Sequence, residues 1–238
     1  ALSANLGFPR IGANRELKKA LESYWAGKTN QQSLLEAAKA IRIANWTLQK
    51  DQGIDHIPSN DFSYYDQVLD TTCMLGAVPP RFGFQGSAVD LDTYSAMARG
   101  HENAPPMEMT KWFDTNYHYL VPEIDVSVVP QANFADFVAL VKRAQAVLGA
   151  RAVPIVIGPV TLLHLARLAD VDFGTLLDAL VPLYVQLLSE LKALGVTEVQ
   201  IHEPVLVLSD APELQAHFER AYAALAEVGV PLNLVTYF

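Results

Sequence analysis

Short apolar runs alternate along this chain with longer segments whose apolar residues recur every three or four positions, the periods expected of buried strands and amphipathic helices. Between Gln31 and Gln52 the residues Leu34, Leu35, Ala38, Ile41, Ala44 and Trp46 fall on one helical face, Lys39 and Lys50 lie outside it, and Gly53 stops the helix. Asn14 is placed to cap an earlier helix running to Trp25, with Arg15 and Glu16 in its first turn. Further helices are predicted over 63–75, 91–98, 134–148, 162–168, 176–194 and 213–228. The strand candidates are 6–9, 55–59, 107–112, 153–157, 198–202 and 232–237. Apart from the short helix at 91–98, the stretch 79–106, with Pro-Pro and three glycines, is irregular, and a loop of that length in a compact domain is usually functional or mobile.

Strands joined through helices imply parallel pairing with right-handed crossovers, so the fold class is α/β. A doubly wound open sheet and a (β/α)8 barrel both fit that order. The first, as a dinucleotide binder, would carry Gly-x-Gly-x-x-Gly after an early strand, and none is present. Polar residues instead recur at strand ends, as Asn60-Asp61, Lys111, Glu203 and Tyr237, where a barrel gathers its functional groups. The barrel is therefore preferred. The six predicted strands fall short of a closed barrel, so 1–238 is expected to be an incomplete barrel domain whose last strand, 232–237, has an open edge.

The 238 residues suit one domain with a large core and also admit two small ones. With 51% hydrophobic and 18% charged residues the chain is not disordered. A net charge of −9 without a basic block opposes nucleic-acid binding. Cys73 is the only cysteine, which excludes an intrachain disulfide and a cysteine-based zinc cluster; it sits in an apolar run and reads as a small buried hydrophobe. No stretch reaches the about 18 apolar residues that span a bilayer, and the start lacks a secretory pattern. A soluble cytoplasmic protein is expected.

Several blocks carry a closer likeness. Leu6-Gly7-Phe8-Pro9-Arg10-Ile11-Gly12 with Asn14-Arg15-Glu16-Leu17-Lys18-Lys19 resembles the opening of the cobalamin-independent methionine synthases. Pro58-Ser59-Asn60-Asp61-Phe62-Ser63-Tyr64-Tyr65-Asp66, the run from Glu108 to Tyr119, and Gln200-Ile201-His202-Glu203-Pro204 follow in family order. The resemblance implies two face-to-face (β/α)8 barrels that move a methyl group from 5-methyltetrahydropteroyltri-L-glutamate to L-homocysteine, making methionine. It places the zinc, which activates the homocysteine thiol, in a C-terminal barrel absent from this sequence. The present chain would be the N-terminal barrel, without catalytic or metal residues of its own and inactive alone, contributing to folate binding. By resemblance Arg15, Glu16, Leu17, Lys18, Lys111 and Asn116 occupy the folate-binding positions. Glu16 and Leu17 would supply backbone and shape, since a carboxylate repels a polyglutamate tail.

Plainer readings stand beside these. Arg15 and Lys18, three apart on one helical face near an N-terminus that favours anions, are also what an ordinary solvated first turn contains. Lys111 is odder, because a lysine in an apolar strand usually faces a cleft or a partner. The aromatic block from Trp112 to Tyr119 reads first as packing, and His56, His118 and His164 as structural residues. The family usually carries Asp where His202 stands, which reads as drift. Two other functions remain open: a binding module or scaffold without catalysis, and an independent barrel enzyme using Glu203 as acid or base with help from Lys111.

Overall fold

The computed structural model describes residues 1–125 and 131–237. In chain order the helices are α1 (Glu16–Trp25), α2 (Gln31–Asp51), α3 (Gln67–Met74), α4 (Leu91–Arg99), α5 (Ala135–Leu148), α6 (Pro159–Leu165), α7 (Phe173–Ala193) and α8 (Gln215–Ala226). The strands are β1 (Ile57–Pro58), β2 (Met109–Lys111), β3 (His118–Leu120), β4 (Glu123–Asp125), β5 (Ala152–Val153), β6 (Ile155–Ile157), β7 (Arg167–Ala169), β8 (Val199–His202) and β9 (Leu232–Val235). The chain is a mixed α/β structure in two compact units, Ala1–Tyr64 with Ala139–Ile155, and Tyr65–Val138 with Val156–Phe238. Among the described residues no helix is long and apolar enough to cross a membrane.

In the first unit β1 pairs in parallel with β5, Ile57 opposite Ala152 and Pro58 opposite Val153. The core beneath them is Trp46, Ile57, Ala144, Leu148 and Ala152, with Ile54, Leu140 and Val147 packed on its border. Helix α2 ends as expected at Gly53, which sits at φ 80°, and it begins at a cap not foreseen from the sequence: the Asn30 side chain accepts the Ser33 N–H at 2.9 Å. Leu17 and Leu21 bury the inner stripe of α1.

In the second unit β8 is flanked by β6 and β9, and β8 and β9 run parallel from Val199 opposite Leu232 to His202 opposite Val235. Helices α6, α7 and α8 pack together beside this sheet. The buried stripe Leu176, Leu177, Leu180, Tyr184, Leu187, Leu188 and Leu191 explains why α7 holds through Pro182. The Tyr184 hydroxyl donates to the Ile157 carbonyl at 2.8 Å and ties α7 to the end of β6. A second parallel pair, β4 with β7, and an antiparallel hairpin, β2 with β3, complete the unit.

Four expectations need correction. Residues 6–9 form no strand; only Ala4 makes a bridge, parallel to His56. The groups that would build a ladder are committed elsewhere: the Gly7 N–H to the Asn5 side chain, the Phe8 N–H to Asp61, and the Pro9 carbonyl to Asn45. Residues 107–112 are not a parallel strand. Met109–Lys111 turns straight back on itself, because Trp112 donates to the Tyr117 carbonyl at 2.8 Å and Phe113 and Asp114 take left-handed conformations. The helix expected over 162–168 begins at Pro159 and ends at Leu165, so that Arg167–Ala169 is free to become β7. Finally, α1 starts after Arg15, which itself is left-handed at φ 62°, and Asn14 does not cap it. The described strands lie in four short sheets, none of them closed, and β9 is an edge paired to β8 alone.

Candidate functional site

In the first unit the expected cationic residues stand on a turn built by side chains. From Gly7 to Arg15 the chain has no ladder to hold it. Asp61 accepts the Phe8 N–H at 2.6 Å, Asn45 donates to the Pro9 carbonyl at 3.2 Å, and the Leu17 and Arg15 N–H groups donate to Ile11 and Gly12 carbonyls at 3.1 and 3.2 Å. Glu16 turns its carboxylate back onto the Asn14 N–H at 2.9 Å and the Asn14 side-chain amide at 3.3 Å. Those bonds, led by the one from its own N–H, hold the Glu16 carboxyl below the usual carboxylate range. Gly12 admits this fold-back: a Cβ there would come within 2.1 Å of a Glu16 oxygen, and its φ is 84°.

The consequences for the expected binding residues differ. Arg15 and Lys18 are exposed, Lys18 lying 3.6 Å from Glu22 one turn on. Leu17 is 1% exposed and serves the core. The α1 N-terminus, expected to welcome an external anion, already has the Glu16 carboxylate on it. What this turn offers a ligand is the side-chain charge of Arg15 and Lys18 on a braced backbone.

The other two expected residues, Lys111 and Asn116, belong to the β2–β3 hairpin of the second unit, and both are exposed. Lys111 sits opposite His118 in the register. Beneath the hairpin the aromatic block is packing, as read: Trp112 and Tyr119 are each 5% exposed and meet edge to face, and Trp112 meets Tyr237 in the same way. Tyr117, 38% exposed, is the exception.

Glu203 has none of the openness a catalytic acid needs. It is 0% exposed, and its carboxylate accepts the Thr161 N–H at 2.7 Å, the Val160 N–H at 3.3 Å and the Tyr222 hydroxyl at 2.8 Å. Burial pushes its carboxyl up to about 7 against the pull of those donors. The side chain lies across Gly158, where a Cβ would fall 2.0 Å from its Oε1. It caps the first turn of α6 and so reads as structure, against the independent-enzyme reading.

Next to it His202 is 1% exposed, with Nε2 3.4 Å from the Gln200 side-chain oxygen and Nδ1 bonded to the Tyr237 hydroxyl. A neutral ring satisfies both by donating from Nε2 and accepting at Nδ1. Burial agrees, lowering its pKa to about 4. Two more carboxylates, one buried and one half-buried, had no role assigned from sequence. Asp66, 1% exposed, caps α3 by accepting the Val68 and Leu69 N–H groups at 2.7 and 2.9 Å, and takes the Leu120 N–H at 3.1 Å. Asp61 holds Phe8. The signal for Asp66 was available: an aspartate directly before a helical pattern.

The residues present do not fit a zinc ion. Among the described residues no three His, Cys, Asp or Glu side chains come together as ligands. Cys73 lies 3.8 Å from the Met97 sulfur, and burial pushes its thiol well above its ordinary value, away from the thiolate a metal takes.

A sequence model of the family described as cobalamin-independent synthase, N-terminal domain, matches residues 2–238. The chain is 50% identical over 237 residues to the 5-methyltetrahydropteroyltriglutamate–homocysteine methyltransferase of Trichodesmium erythraeum, covering 99% of this chain and 31% of that protein. It is 50% identical over 236 residues to the protein of that name from Thermosynechococcus vestitus, covering 99% and 30%. The plant relative from Mesembryanthemum crystallinum is 46% identical over 244 residues, covering 98% and 31%. The chain thus spans less than a third of the length of these three relatives.

Proposed function

The chain belongs to the cobalamin-independent synthase family, matching its N-terminal domain, and on that premise we propose that it is the folate-binding, non-zinc part of a longer cytoplasmic methyltransferase. That enzyme moves the methyl group of 5-methyltetrahydropteroyltri-L-glutamate to L-homocysteine, with zinc and homocysteine held by a C-terminal domain. Residues 1–238 then form one incomplete (β/α)8 barrel domain, a reading supported by the parallel pairing of β1 with β5, β4 with β7 and β8 with β9.

The observation that carries the binding role is the braced turn before α1. Glu16 is folded back onto Asn14, so its charge faces its own backbone, while Arg15 and Lys18 stand exposed on a backbone fixed by the Ile11 and Gly12 carbonyls. A tail of γ-linked glutamates carries one carboxylate per residue, and preorganised cations recognise it at little cost in ordering. In the second unit, the β2–β3 hairpin separately carries a third cation, Lys111, and an amide, Asn116. Leu17 contributes by anchoring α1 from inside.

In the full-length enzyme, Arg15→Ala, Lys18→Ala and Lys111→Ala are each expected to weaken triglutamate binding by about 1–2 kcal/mol, partly exposed charge-assisted contacts being worth less than buried ones. Monoglutamate binding should change far less. Equal losses for the two ligands, measured by calorimetry, would show that these residues do not read the tail. The 238-residue chain alone is expected to make no methionine from the two substrates, with or without added zinc, because desolvation holds its single cysteine well above the ordinary thiol value, away from the thiolate. Zinc-dependent turnover by the purified chain would place the chemistry here instead.

A further inference from the structure

The N-terminal segment reaches the first turn of α1 without secondary structure of its own, and one charged group holds its middle. Asp61 follows β1 and accepts the Phe8 N–H at 2.6 Å. Its Cβ lies at contact distance, 3.5 Å, from where a Cβ on Gly7 would stand, so the backbone runs close against it. Burial drives the Asp61 carboxyl up to about 6, and the Phe8 N–H opposes that shift. The desolvated carboxylate therefore gains from keeping its donor, which makes this contact stiffer than a bond in water.

From Phe8 the restraint passes along the backbone. Pro9 has a fixed φ, and its carbonyl is held by Asn45. Ile11 and Gly12 are then bonded to the Leu17 and Arg15 N–H groups. Arg15 rests in a left-handed conformation that a non-glycine residue adopts only when its surroundings impose it.

We infer that Asp61 is the positioning residue for this turn: by fixing the Phe8 amide it aims Arg15 and Lys18 at the carboxylates of the ligand. The inference rests on the proposed tail-binding role of those two cations. Asp61 touches no ligand in this scheme; it acts through the segment it holds.

The test compares Asp61→Ala and Asp61→Asn in the full-length enzyme, with 5-methyltetrahydropteroyl triglutamate and monoglutamate as probes. Asp61→Ala is expected to raise KM for the triglutamate about tenfold, with kcat and the monoglutamate KM moving less than about twofold, because only preorganisation of the cations is lost. Asp61→Asn keeps an oxygen acceptor for the Phe8 N–H and should recover most of the loss, to within about threefold. Amide exchange at Phe8 and Arg15 should quicken in the alanine variant and return towards normal in the asparagine one. Faster exchange with the triglutamate preference intact overturns the inference and leaves Asp61 as packing alone. Should Asp61→Ala not fold, Asp61→Ser, whose shorter side chain leaves the Phe8 N–H without its acceptor, takes its place: a loss confined to the triglutamate upholds the inference, and no loss or equal losses overturn it. Arg15→Ala and Lys18→Ala separate the two claims. If they abolish the triglutamate preference while Asp61→Ala does not, only the positioning role fails; if they too leave it intact, the tail-binding role itself fails.

Discussion

Glu203→Ala is expected to lower the free energy of unfolding by about 3–5 kcal/mol, while Glu203→Gln costs about 1 kcal/mol or less at pH 7. Alanine removes the acceptor of three donors at once, the buried Val160 and Thr161 N–H groups and the hydroxyl of half-buried Tyr222. Each stranded donor costs about 1–3 kcal/mol, and the space left by the side chain adds to that. Glutamine keeps the shape and one carbonyl oxygen for the α6 amides, and it has no charge to desolvate. The neighbouring backbone is already fitted to the side chain: the Gly158 N–H donates to the His202 carbonyl at 2.9 Å, and no Cβ can enter where Glu203 crosses. Urea unfolding followed by far-UV circular dichroism measures both variants. A loss below about 1 kcal/mol for the alanine variant would remove the structural role, and would return Glu203 to the candidates for chemistry.

The elements with a single local cause could be read from sequence. Helix α2 announced itself by its apolar stripe and by Gly53 after it, and α7 by its leucines. Strands β8 and β9 were legible because they are short apolar runs between a helix stop and a turn. What failed was decided by partners distant in sequence. Leu6-Gly7-Phe8-Pro9 has strand-like residues, but its N–H and carbonyl groups meet Asn5, Asp61 and Asn45, and nothing local says so. Met107–Trp112 looked like a third parallel strand because its apolar residues drew more notice than Asp114, Thr115 and Asn116, which are turn-formers. Arg167–Ala169 becomes β7 only because β4 offers it a ladder, Glu123 opposite Arg167 and Asp125 opposite Ala169.

The candidate site divides in the same way. Arg15, Lys18, Lys111 and Asn116 were named from likeness to a family, and all are exposed. Their presentation was not legible. That Glu16 folds onto Asn14, that Arg15 is left-handed, and that Leu17 is core all follow from a turn closed by backbone bonds. Glu203 shows the opposite failure. Its position after a strand suggested catalysis, whereas in a parallel sheet that end of a strand also faces helix N-termini, and a carboxylate there serves equally well as a cap.

Stability is expected to fall as pH rises from 5 to 7, by about 2 kcal/mol per pH unit, the reverse of ordinary acid denaturation. Burial raises the carboxyls of Asp66 and Glu203 to about 7 and that of Asp61 to about 6. In the unfolded chain these groups lose their protons near pH 4. Between those limits the native state binds more protons than the unfolded one, so the slope of unfolding free energy against pH is negative. Their contribution is complete below the unfolded values and is lost as pH climbs through the folded ones. His202 works the other way: its folded value is lowered to about 4, so between there and its ordinary value the unfolded state holds the extra proton. One histidine against three carboxyls leaves a net uptake of one to two protons on folding near pH 5.5, and one proton is worth about 1.4 kcal/mol per pH unit. The carboxylates with lowered values, Glu16, Asp55, Asp90 and Asp172, act below this window. Urea unfolding at pH 5, 6, 7 and 8 measures the slope, and Glu203→Gln should make it shallower by removing one titrating group. Stability that rises from pH 5 to 7, or a slope that Glu203→Gln leaves unchanged, would mean that these carboxylates stay ionised, held by their N–H donors more strongly than burial opposes them.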